Sequence, residues 1–148
     1  MKLLVSACLL GCRCRYDGDG KENAQVRALA ARHTLIPVCP EQLGGLPTPR
    51  SPSERVGEDG RVVARDGTDV TDAFARGAAE ALRLCRLTGC EAAVLKARSP
   101  SCGSGTVYDG TFTGSLTAGD GVTAALLIRE GIPVVSEETL GTLFPEQI

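Results

Sequence analysis

The chain has 148 residues, with 16 Lys and Arg against 18 Asp and Glu and a formal net charge of −2. One domain over residues 1–148 accommodates that length, and the charge balance gives no footprint for a nucleic acid polymer or an anionic membrane. Three Phe, two Tyr and no Trp exclude an aromatic platform for single-stranded nucleic acid. No apolar run approaches the ~20 residues of a membrane span. The first ten residues read as a strand and not as an export signal, so a cytoplasmic location is expected.

Lys2–Ser6 is a short apolar run that reads as a buried strand. Residues 11–21 are loop, and Glu22–Arg32 is expected to be a helix. Thr34–Val38 is a second strand. Its Pro37 lacks a donor for a central ladder, which places the strand at an edge. Pro40–Pro52, with four prolines and Gly44-Gly45, reads as a long loop. Val56 and Arg61–Ala64, around Glu58-Asp-Gly60, predict a small hairpin. Thr71 is expected to cap a helix whose apolar face carries Val70, Phe74, Ala78, Ala81, Leu82 and Cys85, ended by Gly89. Glu91–Lys96 is a third strand and residues 98–121 a second long loop. Val122–Arg129 is an apolar helix ended by Gly131. Ile132–Val135 is a fourth strand, and Ser136 caps a last short helix through Leu143.

Strands alternating with helices predict an α/β, Rossmann-like three-layer fold. Its mainly parallel four-stranded sheet has order 2-1-3-4, with right-handed crossovers and a small β-hairpin insertion. Two short echoes, Arg50-Ser-Pro-Ser53 with Arg98-Ser-Pro-Ser101 and Tyr16-Asp-Gly18 with Tyr108-Asp-Gly110, are too brief for a repeat and read as turn chemistry.

Seven Cys stand at 8, 12, 14, 39, 85, 90 and 102, beside a single His. An odd count without an export signal argues against a disulfide framework and for metal binding or catalysis. Cys8, Cys39 and Cys102 each follow the end of a different strand. In an open parallel sheet those ends share one rim, where ligands bind, so three thiols distant in sequence meet there. Soft sulfur donors select zinc, copper(I) or iron–sulfur clusters. Three Cys from separate loops, without the paired C-x2-C of a structural zinc site, suit a wider object such as a [4Fe–4S] cube with one iron open. Spacing alone leaves zinc with a nearby fourth Cys as the alternative. Glu41, two residues after Cys39, is placed as general acid–base. Ser101 precedes Cys102, and Gly103 and Gly105 let backbone N–H groups approach a ligand. The glycine-rich stretch 105–121 is a candidate lid.

Val5-Ser-Ala-Cys-Leu-Leu-Gly11 with Arg15-Tyr-Asp-Gly18, then Pro37-Val-Cys-Pro-Glu41, then Arg98-Ser-Pro-Ser-Cys-Gly103, resemble the motifs of the thiouracil desulfurase family, as does 105–125. The resemblance implies a [4Fe–4S] cluster held by Cys8, Cys39 and Cys102. It also implies hydrolytic removal of sulfur from 2-thiouracil or a similar thiolated base without net redox change, with Glu41 as acid–base group and Ser101 near the substrate. Gly103 is placed with Ser101 in substrate binding. Either Cys12 or Cys14 could add a fourth ligand and close the site. The competing readings are a non-catalytic zinc or iron–sulfur module that handles sulfur, and a thiol redox enzyme using Cys12 and Cys14. Cys85 and Cys90 are read as core, and His33 as a helix-end residue.

Overall fold

The protein, seen in a computed structural model, is described over residues 1–57 and 59–145; Glu58 of the expected hairpin turn lies outside them. Four parallel strands form the central sheet: β1 (Lys2–Ser6), β2 (Thr34–Val38), β5 (Ala92–Val94) and β8 (Val134–Val135), in spatial order β2-β1-β5-β8. This is the expected 2-1-3-4 arrangement. Leu3, Leu4 and Val5 of the central strand are fully buried, as a parallel strand covered on both faces requires. Pro37 sits on edge strand β2, opposite Val5, where its missing donor costs no ladder bond.

Successive side chains of β1 and β5 point to opposite faces and build two cores. Leu3, Val5, Ala92 and Val94 pack with Val26, Leu29 and Phe144 on one side. Leu4, Ala93 and Leu95 pack with Ala81, Leu82, Cys85, Ala124 and Leu127 on the other. The second side belongs to helices α3 (Thr71–Thr88) and α4 (Val122–Arg129), the first to α1 (Ala24–Ala28) and the turns around it. Each buried Leu or Val stabilises the fold by about 1.5–3 kcal/mol relative to exposure.

Several boundaries differ from the expectation. The first helix is shorter, because Asn23 caps it by accepting from Val26 N at 3.0 Å, and it ends in a 3-10 turn at Leu29–Ala31. Thr71 is not the cap of α3. Val70 holds that position, while the Thr71 hydroxyl accepts from Val62 N at 2.9 Å and ties the helix to strand β4 (Arg61–Ala64). Strand β4 pairs with β3 (Ser53–Val56) in the expected hairpin. Ser136 does not cap the last helix either. Its hydroxyl accepts from Glu138 N at 3.0 Å, and a single 3-10 turn, Leu140–Thr142, follows Thr139.

Two segments expected to be loop carry structure. Pro40–Leu43 is a four-residue helix, α2, with Pro at its first turn, where the missing N–H is no loss. Thr106–Tyr108 (β6) and Leu116–Ala118 (β7) form an antiparallel hairpin inside the second loop. Among the described residues no helix is long and apolar enough to cross a membrane.

Helix α2 lies directly on the backbone of α3. A Cβ on Gly77 would stand 1.9 Å from the Pro40 carbonyl oxygen, and one on Gly44 2.0 Å from that of Ala73. Ala at position 77 would gain about 1 kcal/mol of helix propensity. Displacing a helix by more than an ångström costs more, about 1–3 kcal/mol and upward. Gly77→Ala is therefore expected to lower the melting temperature by several degrees, about 3 °C per kcal/mol at this size. A thermal melt that rises in this variant would contradict the close approach.

Candidate active site

The carboxyl ends of β1, β2 and β5 open onto one cavity of about 360 Å³, at the rim where open α/β sheets bind ligands. Cys8, Cys39 and Cys102 all line it, and so does Cys14. Cys8 lies in a 3-10 turn, Ala7–Leu10, immediately after β1, closed by Gly11 in the left-handed region at φ 95°. Cys39 joins β2 to α2. Cys102 sits in a loop stapled to the start of α4: Val122 N and Thr123 N donate to the carbonyls of Pro100 and Ser101, at 2.9 and 2.8 Å. The Ser99 hydroxyl accepts from Ser101 N and Cys102 N and closes that turn.

The first loop separates its two cysteines. Cys12 is exposed and Cys14 is buried, lining the cavity with Cys39 and Cys8. The Cys39 thiol also donates to the Cys14 carbonyl at 3.6 Å. Cys85 is buried on the inner face of α3 and Cys90 is half-buried beside it, as expected for core thiols.

Three of the thiols at the cavity, Cys14, Cys39 and Cys102, are held protonated by their surroundings. Burial pushes Cys102 up to about 12. The hydrogen bond with Cys14, followed by burial, pushes Cys39 well above the ordinary thiol range. For Cys14 the Cys39 contact lowers the value, but the Cys8 contact and burial outweigh it and bring it to about 11. Cys85 reaches about 11 through burial. A thiol whose native pKa is raised keeps a proton that the unfolded chain releases above its ordinary value of 9.0. Native stability is then full below pH 9 and falls as pH rises from there toward 11 and 12. The urea midpoint of the reduced, cluster-free protein is expected to drop between pH 8 and 10.5. A flat profile would contradict these surroundings.

Glu41 lines the same cavity and pairs with Arg50, Nε to Oε1 at 3.0 Å, the Arg50 side chain being only 6% exposed. Sequence reasoning missed Arg50. Its remaining donors reach the Pro47 carbonyl (3.1 Å), the Thr48 hydroxyl (2.9 Å) and the Cys14 carbonyl (2.8 Å). One guanidinium thus joins the Glu41 helix, the Cys14 loop and the segment before itself. Ser6 was also missed: its buried hydroxyl accepts from Lys96 N at 2.9 Å and acts to lower the Cys102 pKa against burial. Lys96 and Arg98 line the cavity, but their charges are matched by Glu137 (2.9 Å) and Glu138.

Ser101 and Gly103 stand behind the cavity wall. Ser101 is 1% exposed, and its hydroxyl bonds that of Thr123 at 2.8 Å. Gly103 N donates to Ser99 O, and its carbonyl accepts from Gly121 N. Ser99 is the serine on the wall. His33 is far from this chemistry in contacts: it meets the N-terminal amine at 3.1 Å and the Phe144 ring edge-on at 5.1 Å.

The donor set suits a soft-metal group. Sulfur donors dominate, no His is near, and four Cys line one cavity. Among the described residues no three His, Cys, Asp or Glu close on a point that one ion could fill. Thiols spread around a cavity match a group wider than one ion.

The 2-thiouracil desulfurase family profile matches residues 3–139. The chain belongs to this family. A Bacillus subtilis (strain 168) relative, the uncharacterized protein YbbK, is 42% identical over 149 residues, spanning 95% of this chain and 99% of its own. A solved structure of the [4Fe-4S]-dependent thiouracil desulfidase TudS is 51% identical, with a TM-score of 0.87 over 98% of this chain and 96% of that one. The similarity to a 2-thiouracil desulfurase therefore runs through every strand of the sheet and every wall of the cavity.

Proposed function

We propose that the chain, folded as one domain over 1–148, is a [4Fe–4S]-dependent thiouracil desulfurase. It converts a thiolated base and water into the oxygenated base and hydrogen sulfide, as from 2-thiouracil to uracil. One carbon–sulfur double bond is exchanged for a carbon–oxygen double bond, and no electrons are gained or lost. The observation that carries this reading is the meeting of Cys8, Cys39 and Cys102, from three strand ends, on one cavity that also receives Glu41. Membership of the family and the likeness to TudS supply the reaction class.

Cys8, Cys39 and Cys102 would hold the cluster. When bound, it supplies a soft Lewis acid suited to a thiocarbonyl sulfur. Loading requires Cys39 and Cys102 to lose the protons that their surroundings keep on them. Glu41, oriented by Arg50, takes a proton from water or returns one to a ring nitrogen. Ser6 and Ser101 favour the thiolate form of Cys102 that a cluster needs, against the opposing effect of burial. Seven free thiols fit a reducing compartment and support a cytoplasmic location as part of this reading.

Cys14 gives weight to a second reading, in which four thiols close the group and the protein is a non-catalytic module. Anaerobic reconstitution separates the two. The enzyme reading expects about four iron and four sulfide per chain together with sulfide release from 2-thiouracil. A loaded protein that leaves 2-thiouracil intact overturns it.

A further inference from the structure

The chain has five Phe and Tyr in all. Phe74 and Phe144 are core residues, almost fully buried. The other three, Tyr16, Tyr108 and Phe112, all line the active-site cavity. They come from two places far apart in sequence, the first loop and the β6–β7 hairpin. Both halves of the Tyr-Asp-Gly echo thus deliver their tyrosine to the same cavity.

Phe112 is held there against its backbone preference. Its φ is 56°, in the left-handed region, and Arg98 is the only other non-glycine with a positive φ among the described residues. Arg98 lines the cavity too. A side chain in this region is kept only where its surroundings over-determine it, and such positions gather at functional sites. The surroundings here are specific. Glu54, 8% exposed, accepts from Gly110 N at 2.9 Å and from Phe112 N at 3.1 Å through one carboxylate oxygen. The Arg65 guanidinium lies 5.6 Å from the centre of the Phe112 ring. A glycine would satisfy this backbone without strain, yet a half-buried ring is placed there.

We propose that Tyr16, Tyr108 and Phe112 form a stacking wall for the planar ring of the substrate, with Glu54 as the clamp that sets Phe112 against it. The site then selects heteroaromatic thiocarbonyl compounds over open-chain ones that carry the same N–C(=S)–N group. This rests on the desulfurase reading for the identity of the ligand, but not on turnover. Flat π-faces stack on aromatic side chains whatever their edge substituents, and loss of one such contact weakens binding by about ten- to hundredfold.

The test is equilibrium dialysis of 2-thiouracil and of thiourea against cluster-loaded protein in which Glu41→Gln slows turnover. It carries wild-type Phe112, Phe112→Ala, Phe112→Gly or Phe112→Tyr, with sulfide release followed in parallel on the protein that keeps Glu41. Wild-type Phe112 is expected to bind 2-thiouracil well and thiourea at least about tenfold more weakly. Phe112→Ala and Phe112→Gly should each lose about tenfold for 2-thiouracil, with little change for thiourea, and Phe112→Tyr should restore binding. Phe112→Gly should melt no lower than Phe112→Ala, since glycine relieves the positive φ, so weak binding in it cannot be blamed on a lost fold. Unchanged 2-thiouracil affinity in both truncations, or equal losses for both ligands, overturns the wall. Tight binding without sulfide release defeats the desulfurase reading while leaving the wall in place. Release with Phe112-independent binding does the reverse.

Discussion

Alanine at Cys8, Cys39 or Cys102 is expected to abolish the brown chromophore of anaerobically reconstituted protein, with iron and acid-labile sulfide falling from about four per chain to background. Each position sits on its own element and lines the shared cavity, so the three losses should be equivalent and no two should compensate. Folding survives them, since each variant removes only one sulfur, and single truncations of this size usually cost about 1 kcal/mol. Cys85→Ala is the control: its thiol is buried on α3 against the Cys90 carbonyl at 3.7 Å, and colour should be retained. Cys12→Ala, at an exposed position, should also keep it. Cys14→Ala decides between an open and a closed group. Retained iron and turnover support three thiols, whereas bleaching in this variant supports four. Colour that persists in Cys102→Ala and vanishes in Cys85→Ala would overturn the ligand assignment.

Glu41→Gln is expected to load its cluster normally and to lose turnover by about 10²–10⁴-fold, the usual contribution of a positioned proton-transfer group. Glutamine is chosen for a structural reason. Its amide oxygen can still accept from Arg50 Nε, so the buried guanidinium keeps its partner. Removing that partner altogether strands a buried charge, at a cost of about 3–5 kcal/mol, and would confuse a fold defect with a chemical one. The assay is sulfide release from 2-thiouracil beside the visible spectrum of the same sample. Full activity in Glu41→Gln would take the carboxylate out of the mechanism.

The sheet and its rim were legible because they follow from local signals. Short Leu- and Val-rich runs mark the strands, Pro37 marks the edge, and the spacing of Phe74, Ala78, Ala81, Leu82 and Cys85 marks the inner face of α3. Parallel topology then brings Cys8, Cys39 and Cys102 to one side without further information. The rest depends on contacts that no local window contains. Helix α2 is a single turn after a proline, too short for any periodicity. The β6–β7 hairpin pairs strands of three residues, and those of β7 are all exposed, so alternation of polar and apolar residues is absent. Cys12 and Cys14 differ by two positions in one loop, and only tertiary packing decides which one turns inward. Arg50 and Glu54 act across the fold, on the Cys14 carbonyl and on the Phe112 amide. The two echoes did carry a signal: Arg50, Arg98, Tyr16 and Tyr108 all line the cavity, and reading them as turn chemistry alone undervalued them.

The bare contact between α2 and α3 has a mechanical consequence. Cys39 and Glu41 stand at the head of a one-turn helix that rests on peptide groups, with no side chain between to act as a cushion. Rotamer adjustment cannot absorb a shift there, so one sulfur and one carboxylate travel as a rigid piece with the longest helix of the molecule. Substitutions along the outer face of α3 leave the reactive pair undisturbed, whereas a single methyl group at the seam moves both at once.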